Sequence, residues 1–315
     1  MNTVIKRAFV SVWMGLLGMG LVAAAAHAAE TRLKPFVLAS NGPGDLKPTI
    51  AKVKQALTSH GFKILGQYSP YAGAEIFAVT NGDLMKAAQQ SPGPGGAYAV
   101  AQRVSVTQVG KDVQVAYTNP VYMADAYHMN TDLANVAAQL KTALGEIKTF
   151  GSHDGMTPNE LRDYHYTFGM EYFSDPYHLG SYGSYDQALK KVEAGMAAHK
   201  GGCTEVYHVA IPGRQETVFG VSLQQGPKGS HYADDKYQMN VVDAKPLKHT
   251  AYLPYEILVT GSKVRALHMR FRMALYFPDL RMLGSHSFMT LMPAPSAMRK
   301  ALTECAGGHA SSSEF

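Results

Sequence analysis

The sequence predicts an α/β protein, an α+β sandwich, made of two tandem copies of one small mixed-sheet unit with layered helices. Three observations carry this. Pro35 to Asp45 is echoed by Pro176 to Asp186, 141 positions later, with five of the eleven pairs identical. The echo then continues in order: Ser59-His60-Gly61 answers Ala198-His199-Lys200-Gly201, Glu75 to Thr80 answers Glu216 to Ser222, and Ala97-Tyr98 answers Ala251-Tyr252. Helical patterns also alternate with hairpin patterns in both halves, which suits helices layered on a sheet. Because homodimers commonly pair isologously, two copies in one chain are expected to form a pseudo-dimer.

The segments expected along the chain are a signal peptide over 1–28, a first repeat over 29–150 and a Tyr/His-rich joint over 151–183 that includes the first strand of the second copy. A second repeat follows over 184–306, then a disordered tail over 307–315. Lys6 and Arg7 precede an uncharged apolar stretch from Ala8 to Ala26, and Ala26-His27-Ala28 supplies the small residues that signal peptidase requires. Cleavage after Ala28 makes the mature chain periplasmic or secreted. No later segment approaches the ~20 apolar residues of a membrane span. Loss of Lys6 and Arg7 lowers the net charge from +5 to +3, too balanced for a nucleic-acid binder without an arginine-rich stripe.

In the first copy Asp45 is a candidate helix cap, and Ile50, Val53, Ala56 and Leu57 recur at helical spacing until Gly61. Phe62 to Tyr68 and Glu75 to Thr80 read as strands, and Leu84, Ala87 and Ala88 mark a short helix ended by a Pro/Gly run. Tyr98 to Val109 and Val113 to Tyr117 alternate apolar and polar residues around Gly110-Lys111-Asp112, the pattern of a hairpin. Leu133, Val136, Ala137, Leu140, Leu144 and Ile147 form a closing amphipathic helix. The second copy keeps this order. It has a helix near Tyr185–His199, strands near Glu205–Ala210 and Thr217–Leu223, a hairpin turning at Gly261-Ser262-Lys263, and a closing helix near Pro295–Thr303. Gly226 to Leu253 contains an insertion relative to the first copy.

A helix ending in His60-Gly61-Phe62, a strand pair, Asn81 opening a short helix, a Pro/Gly loop and a valine-rich hairpin resemble the domain-of-unknown-function 302 family over about residues 34–125. The likeness is looser over the second copy. It implies a compact α/β domain that often pairs, and it implies no established reaction. The chain departs from the family at two places. Thr80-Asn81-Gly82 stands where relatives often carry Cys-Asn-Pro, and Val100-Ala101-Gln102 stands where they often carry a cysteine. A thiol-based role is therefore not carried over.

In an oxidising compartment Cys203 and Cys305 are expected to form a disulfide. Asp163 to Tyr185 is rich in tyrosine and histidine. Read as a strand, it puts Tyr164, Tyr166, Phe168, Met170 and Tyr172 on one face and His165 on the other. Tyr164, Tyr166, Tyr177, His165, His178 and His128 are the candidate ligand or metal residues, because phenols and imidazoles cradle planar ligands and imidazole binds copper or haem iron. The plainer reading is a tyrosine-lined joint packing one copy on the other. Leu267, Met269, Phe271, Met273 and Leu275 are expected on the core face of a strand, with His268, Arg270 and Arg272 opposite. His60 and His199 fall at equivalent helix ends, as caps or as a symmetric pair.

No nucleophile elbow, His-Glu-x-x-His, Walker loop or haem-attachment motif is present. Ser152-His153-Asp154 reads as a loop turn, since triads assemble from distant positions. The reading is thus an exported binding or assembly protein working between its copies on a protein or small-molecule partner, with a higher oligomer left open. No cofactor is expected. The alternative is a copper- or haem-handling protein using the Tyr/His segment, and the third is a hydrolase without a recognisable motif.

Overall fold

A computed structural model of the chain describes residues 30–91, 93–225 and 229–308. The expected signal peptide and residues 309–315 of the expected tail lie outside the described residues. The first half runs β1 (Phe36–Pro43), α1 (Leu46–Ser59), β2 (Lys63–Tyr68), β3 (Ala74–Thr80), α2 (Gly82–Gln90), α3 (Gly95–Ala99), β4 (Gln102–Val109), β5 (Asp112–Thr118), α4 (Pro120–Ala126), α5 (Ala134–Leu144) and β6 (Lys148–Phe150). After α6 (Pro158–Arg162), the second half runs β7 (Tyr177–Ser181), α7 (Tyr185–Ala197), β8 (Cys203–Ala210), β9 (Glu216–Leu223), α8 (Asp235–Val242), β10 (Tyr255–Thr260), β11 (Lys263–Ala266), α9 (Met269–Tyr276) and α10 (Ala294–Cys305).

The two sheets have corresponding orders. The first is β2-β3-β4-β5-β1-β6 and the second, from the same end, β8-β9-β10-β11-β7. Every strand pairing in both is antiparallel, a correction to the mixed sheets expected. Four of these pairs, β2–β3, β4–β5, β8–β9 and β10–β11, are hairpins with short turns, which require antiparallel pairing; the others are joined by longer connections. Helices α1 and α5 cover the first sheet, and α7 and α10 cover the second. All residues of β3 and of β9 are buried. Both faces of each sheet centre are therefore covered, one by helices and one by the opposite half, which explains the unbroken apolar runs in these strands.

The halves exchange short segments across the seam. The 3₁₀ turn Thr250–Tyr252 lies against β3, β4 and β5, while α3 lies against β9 and β10. Edge strands β2 and β8 also meet, so closely that a Cβ on Gly66 would stand 1.9 Å from the Val206 carbonyl oxygen. In register, β2 skips Leu65 and β8 skips Val206.

Three local expectations are corrected. Leu267 to Leu275 is not a strand: Met269–Tyr276 is the helix α9, opened by His268, whose Nδ1 accepts the Arg270 N–H at 3.2 Å. Arg270 and Arg272 alternate with Met269, Phe271 and Met273 and so mimic the period of a strand, but every residue of α9 except Arg270 is buried, Arg272 included. Tyr164 to Tyr172 is not a strand either. It turns at Gly169, whose φ is +80°, and is closed by Met170 N–H to Thr167 O at 3.0 Å. The expected disulfide is absent, and Cys203 and Cys305 are buried free thiols. Burial, with Cys305 beside it, pushes the Cys203 thiol well up, disfavouring the thiolate that disulfide chemistry needs.

Candidate functional site

The centre of the seam is a polar core. Arg103 of β4 donates through Nη1 to Glu256 of β10 at 3.0 Å, through Nε to the Ala251 carbonyl at 3.2 Å, and through Nη2 to the Tyr276 hydroxyl. Arg103 and Glu256 are each 1% exposed. Tyr207 donates to the same Glu256 oxygen at 2.8 Å, and the Tyr276 and Tyr127 hydroxyls stand 3.0 Å apart. Arg272 donates to the Tyr252 and Pro254 carbonyls at 2.5 and 2.6 Å, with its guanidinium 4.2 Å from the Tyr252 ring centroid and 4.6 Å from that of Tyr255. Its Nε and Nη1 have no hydrogen-bond partner among the described residues, and aromatic faces supply the compensating attraction. A buried ion pair specifies one arrangement of the sheets, because a shifted seam strands the charges.

Space for a ligand opens at the edge of this seam. A cleft of about 320 Å³ is walled by Gly151 from the joint, by Val242, Lys245 and His249 from the second-half insertion, and by Phe277 to His286 after α9. His249 is the fixed point of the wall. Its Nδ1 lies 2.8 Å from Asp243 Oδ1, and its backbone N–H donates to both Asp243 oxygens at 3.0 and 2.9 Å. The ring packs against Phe36, Phe150 and Phe277 at centroid distances of 5.2, 5.3 and 5.0 Å. Phe36 and Phe150 belong to the first half, so the segment carrying His249 is anchored on the opposite half. Two further bonds secure it: Gln114 donates to the Pro246 carbonyl at 2.9 Å and accepts the Lys248 N–H at 2.9 Å.

The rest of the cleft divides by polarity. Val242, Phe277, Leu280 and Leu283 form its apolar part. Lys245, Arg281 and His286 bring cationic or hydrogen-bonding heads, and Asp279 is the carboxylate among the lining residues. Asp279 is already engaged, accepting the His153 N–H at 2.8 Å and standing 3.6 Å from Lys245 Nζ. The imidazole of His286 is oriented by Nδ1 at 2.9 Å from the Val241 carbonyl. An apolar slot with a few fixed polar groups suits a small ligand.

The residues singled out from the sequence lie elsewhere. Tyr164 donates to the Ala274 carbonyl at 3.0 Å and Tyr177 to the Pro295 carbonyl at 2.9 Å, so both tie the joint to the second half. Tyr166 lies on Phe288 at 4.6 Å and donates to Met282 Sδ at 3.3 Å. His165 stacks on Tyr172 at 4.3 Å, His128 stacks on Phe173 at 4.8 Å, and His178 is exposed on β7. Burial holds the His128 pKa below the usual imidazole value. Among the described residues no three His, Cys, Asp or Glu side chains are grouped to hold a metal. His60 and His199 end α1 and follow α7, and they take different partners: the Ala56 carbonyl at 2.8 Å and the Thr204 hydroxyl at 2.9 Å. His153 and Asp154 pair at 2.7 Å in the open, in the loop expected of them. Asp243, Lys245 and His249 escaped the sequence reading, although the insertion that carries them was visible as a break in the repeat.

Among the described residues no helix is long and apolar enough to cross a membrane. No family model matches the chain, and no curated protein matches it. A solved structure described as "uncharacterized conserved protein DUF302 from Bacillus stearothermophilus" is similar to part of it, at 15% identity and a TM-score of 0.32, covering 35% of this chain and 94% of that one.

Proposed function

We propose that this is an exported binding protein that holds a small organic anion in the cleft at the seam of two repeated units. The observation that carries it is His249, a buried imidazole fixed by Asp243 and by aromatic rings of both halves at the cleft wall. Such a fixed ring reduces the ordering penalty of binding. Lys245 and Arg281 outnumber Asp279 at the rim, favouring an anionic head, while Phe277, Leu280 and Leu283 accommodate an apolar body.

Duplication of one unit is the second part of the proposal. The corresponding strand orders support it, as do the exchanged segments around Tyr98 and Tyr252 and the skipped residues Leu65 and Val206, which stand 141 positions apart like the sequence echo. Tyr127 and Tyr276 are each the eighth residue counted from the start of α4 and α9, and their hydroxyls meet at 3.0 Å, as counterparts beside a pseudo-two-fold axis would. Isologous pairing gives this kind of self-contact.

Calorimetric titration with aromatic and aliphatic carboxylates, each beside its neutral amide, tests the binding role. Acids are expected to bind and amides not, with Lys245→Ala plus Arg281→Ala weakening an acid by roughly tenfold or more, since a charge-assisted hydrogen bond contributes about 1.5–3 kcal/mol. Equal binding of acid and amide, or an affinity indifferent to both substitutions, would sink the reading.

A further inference from the structure

The loop from Arg281 to Met292 carries a feature that the cleft does not use. Met282, Met289 and Met292 are 47%, 45% and 61% exposed, and every exposed methionine among the described residues falls in this loop. Methionine ordinarily fills gaps in cores, and a solvent-facing side chain fills none. Leu283, beside them, is 73% exposed, but it already lines the cleft.

The backbone brings the three methionines into one neighbourhood. The Met289 N–H donates to the Met282 carbonyl at 3.2 Å, so these residues are neighbours across the loop. Met289–Leu291 is a 3₁₀ turn, and the Met292 N–H donates to the Met289 carbonyl at 3.3 Å. In a 3₁₀ turn, side chains three positions apart lie over one another, so Met292 stands over Met289. The loop is braced from within. The Ser287 and Thr290 hydroxyls both donate to the Gly284 carbonyl, at 2.6 and 2.9 Å, and Arg281 and Ser287 form a β-bridge. Tyr166 donates to Met282 Sδ at 3.3 Å and fixes one thioether, whose sulfur keeps a second lone pair.

Thioethers are soft, neutral ligands that select soft monovalent metals over hard dications. From Arg281 to Met292 there is no Asp or Glu, so the loop offers nothing that would favour calcium or magnesium. Arg281, the cation nearest in sequence, also lines the cleft. We propose that Met282, Met289 and Met292 form a surface site for a soft monovalent metal ion, Cu(I) or its redox-inert stand-in Ag(I). The three methionines are not among the residues that line the anion cleft, although the same loop borders it, and the site involves no change of oxidation state.

The test is an anaerobic Cu(I) titration of the purified protein against a chromogenic Cu(I) chelator, with Ag(I) followed through the methionine methyl resonances. The wild-type chain is expected to withdraw one equivalent of Cu(I) from the chelator. Ag(I) is expected to move the methyl signals of Met282, Met289 and Met292 and to leave the buried methionines in place. Met282→Leu, Met289→Leu and Met292→Leu together keep side-chain volume, so the fold is retained. They are expected to lower Cu(I) affinity by more than about a hundredfold, beyond the 10–100-fold that loss of a mere outer partner causes. Three results each overturn the proposal. The wild type fails to compete, the triple variant loses less than about tenfold, or Ag(I) moves other methyl groups. The second result would place the metal elsewhere in the chain.

Discussion

The two halves share a scaffold and differ in what they hang on it. Each has a sheet of corresponding strand order covered by helices on its outer face. They part at the link between the short helix and the central hairpin. In the first half α2 leads almost directly into α3 and β4; in the second, residues 243–254 separate α8 from β10 and carry Asp243, Lys245 and His249. The first half contributes to the cleft chiefly as a platform, through Phe36 and Phe150 beneath the His249 ring. One half thus supports a loop carried by the other. Loops on rigid elements are where binding groups commonly sit.

The largest effect is expected where the halves join. Arg103 comes from the first half and Glu256 from the second, and both are buried. Arg103→Ala leaves the carboxylate bare and is expected to destabilise the protein by about 3–5 kcal/mol. Urea unfolding followed by tyrosine fluorescence and by circular dichroism would show one coincident transition moved to lower denaturant. Two separate transitions would break the comparison, making each half a unit that folds without the other.

A second difference concerns the start of the short helix. In α2 the first residue is Gly82, whereas in α8 it is Asp235, which is 1% exposed. Burial pushes the Asp235 carboxyl up to about 7, against hydrogen bonds from the Leu223 N–H at 3.0 Å and from Tyr68 at 3.3 Å. The folded protein therefore holds a proton that the unfolded chain has lost above about pH 4. Its contribution is fully present below about pH 4 and disappears as pH rises through about 7, amounting to about 4 kcal/mol at most. Asp235→Asn keeps an acceptor for the Leu223 N–H and removes the titration. Denaturation midpoints from pH 4 to 8 are expected to fall with pH more steeply in the wild type than in the variant. Parallel curves would remove the pH dependence from the second half.

Much of the scaffold was legible in the sequence. The strand pair before Gly82, the hairpin at Gly110 and the closing helix of each half follow from period and turn residues, and the second half could be read against the first. Legibility failed where a local alternation misleads. Arg270 and Arg272 alternate with Met269, Phe271 and Met273 as in a strand, yet Met269 to Tyr276 is a helix buried on nearly every side and capped by His268. It failed again where the tyrosine alternation from Tyr164 to Tyr172 mimicked a strand while Gly169 turned the chain. The cleft was half legible. An insertion is a visible gap in the echo, but the pairing of Asp243 with His249 and the rings around it depend on residues from Phe36 to Phe277 that only the fold brings together. Arg272 was assigned to a wet face and lies at 0% exposure, because cation–π contacts with tyrosines distant in sequence leave no local signal.

Two glycines of the first half give the finest test of how closely the halves are fitted. At Gly66 a Cβ would stand 1.9 Å from the Val206 carbonyl oxygen, a backbone atom that cannot turn aside. Its place in the second half is held by Tyr207, which follows the skipped Val206 as Gly66 follows Leu65 and reaches Glu256 with its hydroxyl. A glycine on one strand thus admits the other strand's bulge. Gly66→Ala is expected to force β2 and β8 apart and to destabilise by about 1–3 kcal/mol, the range for overpacking. At Gly82 a Cβ meets nothing within 4 Å, and the backbone is already helical. Gly82→Ala is therefore expected to stabilise by a few tenths of a kcal/mol, up to about 1, through the smaller entropy loss of alanine. Thermal melts of the two variants beside the wild type should move in opposite directions. A Gly66→Ala melt that does not fall would mean that β2 and β8 are loosely apposed, and that the seam is held by its other contacts, Arg103 with its tyrosines foremost.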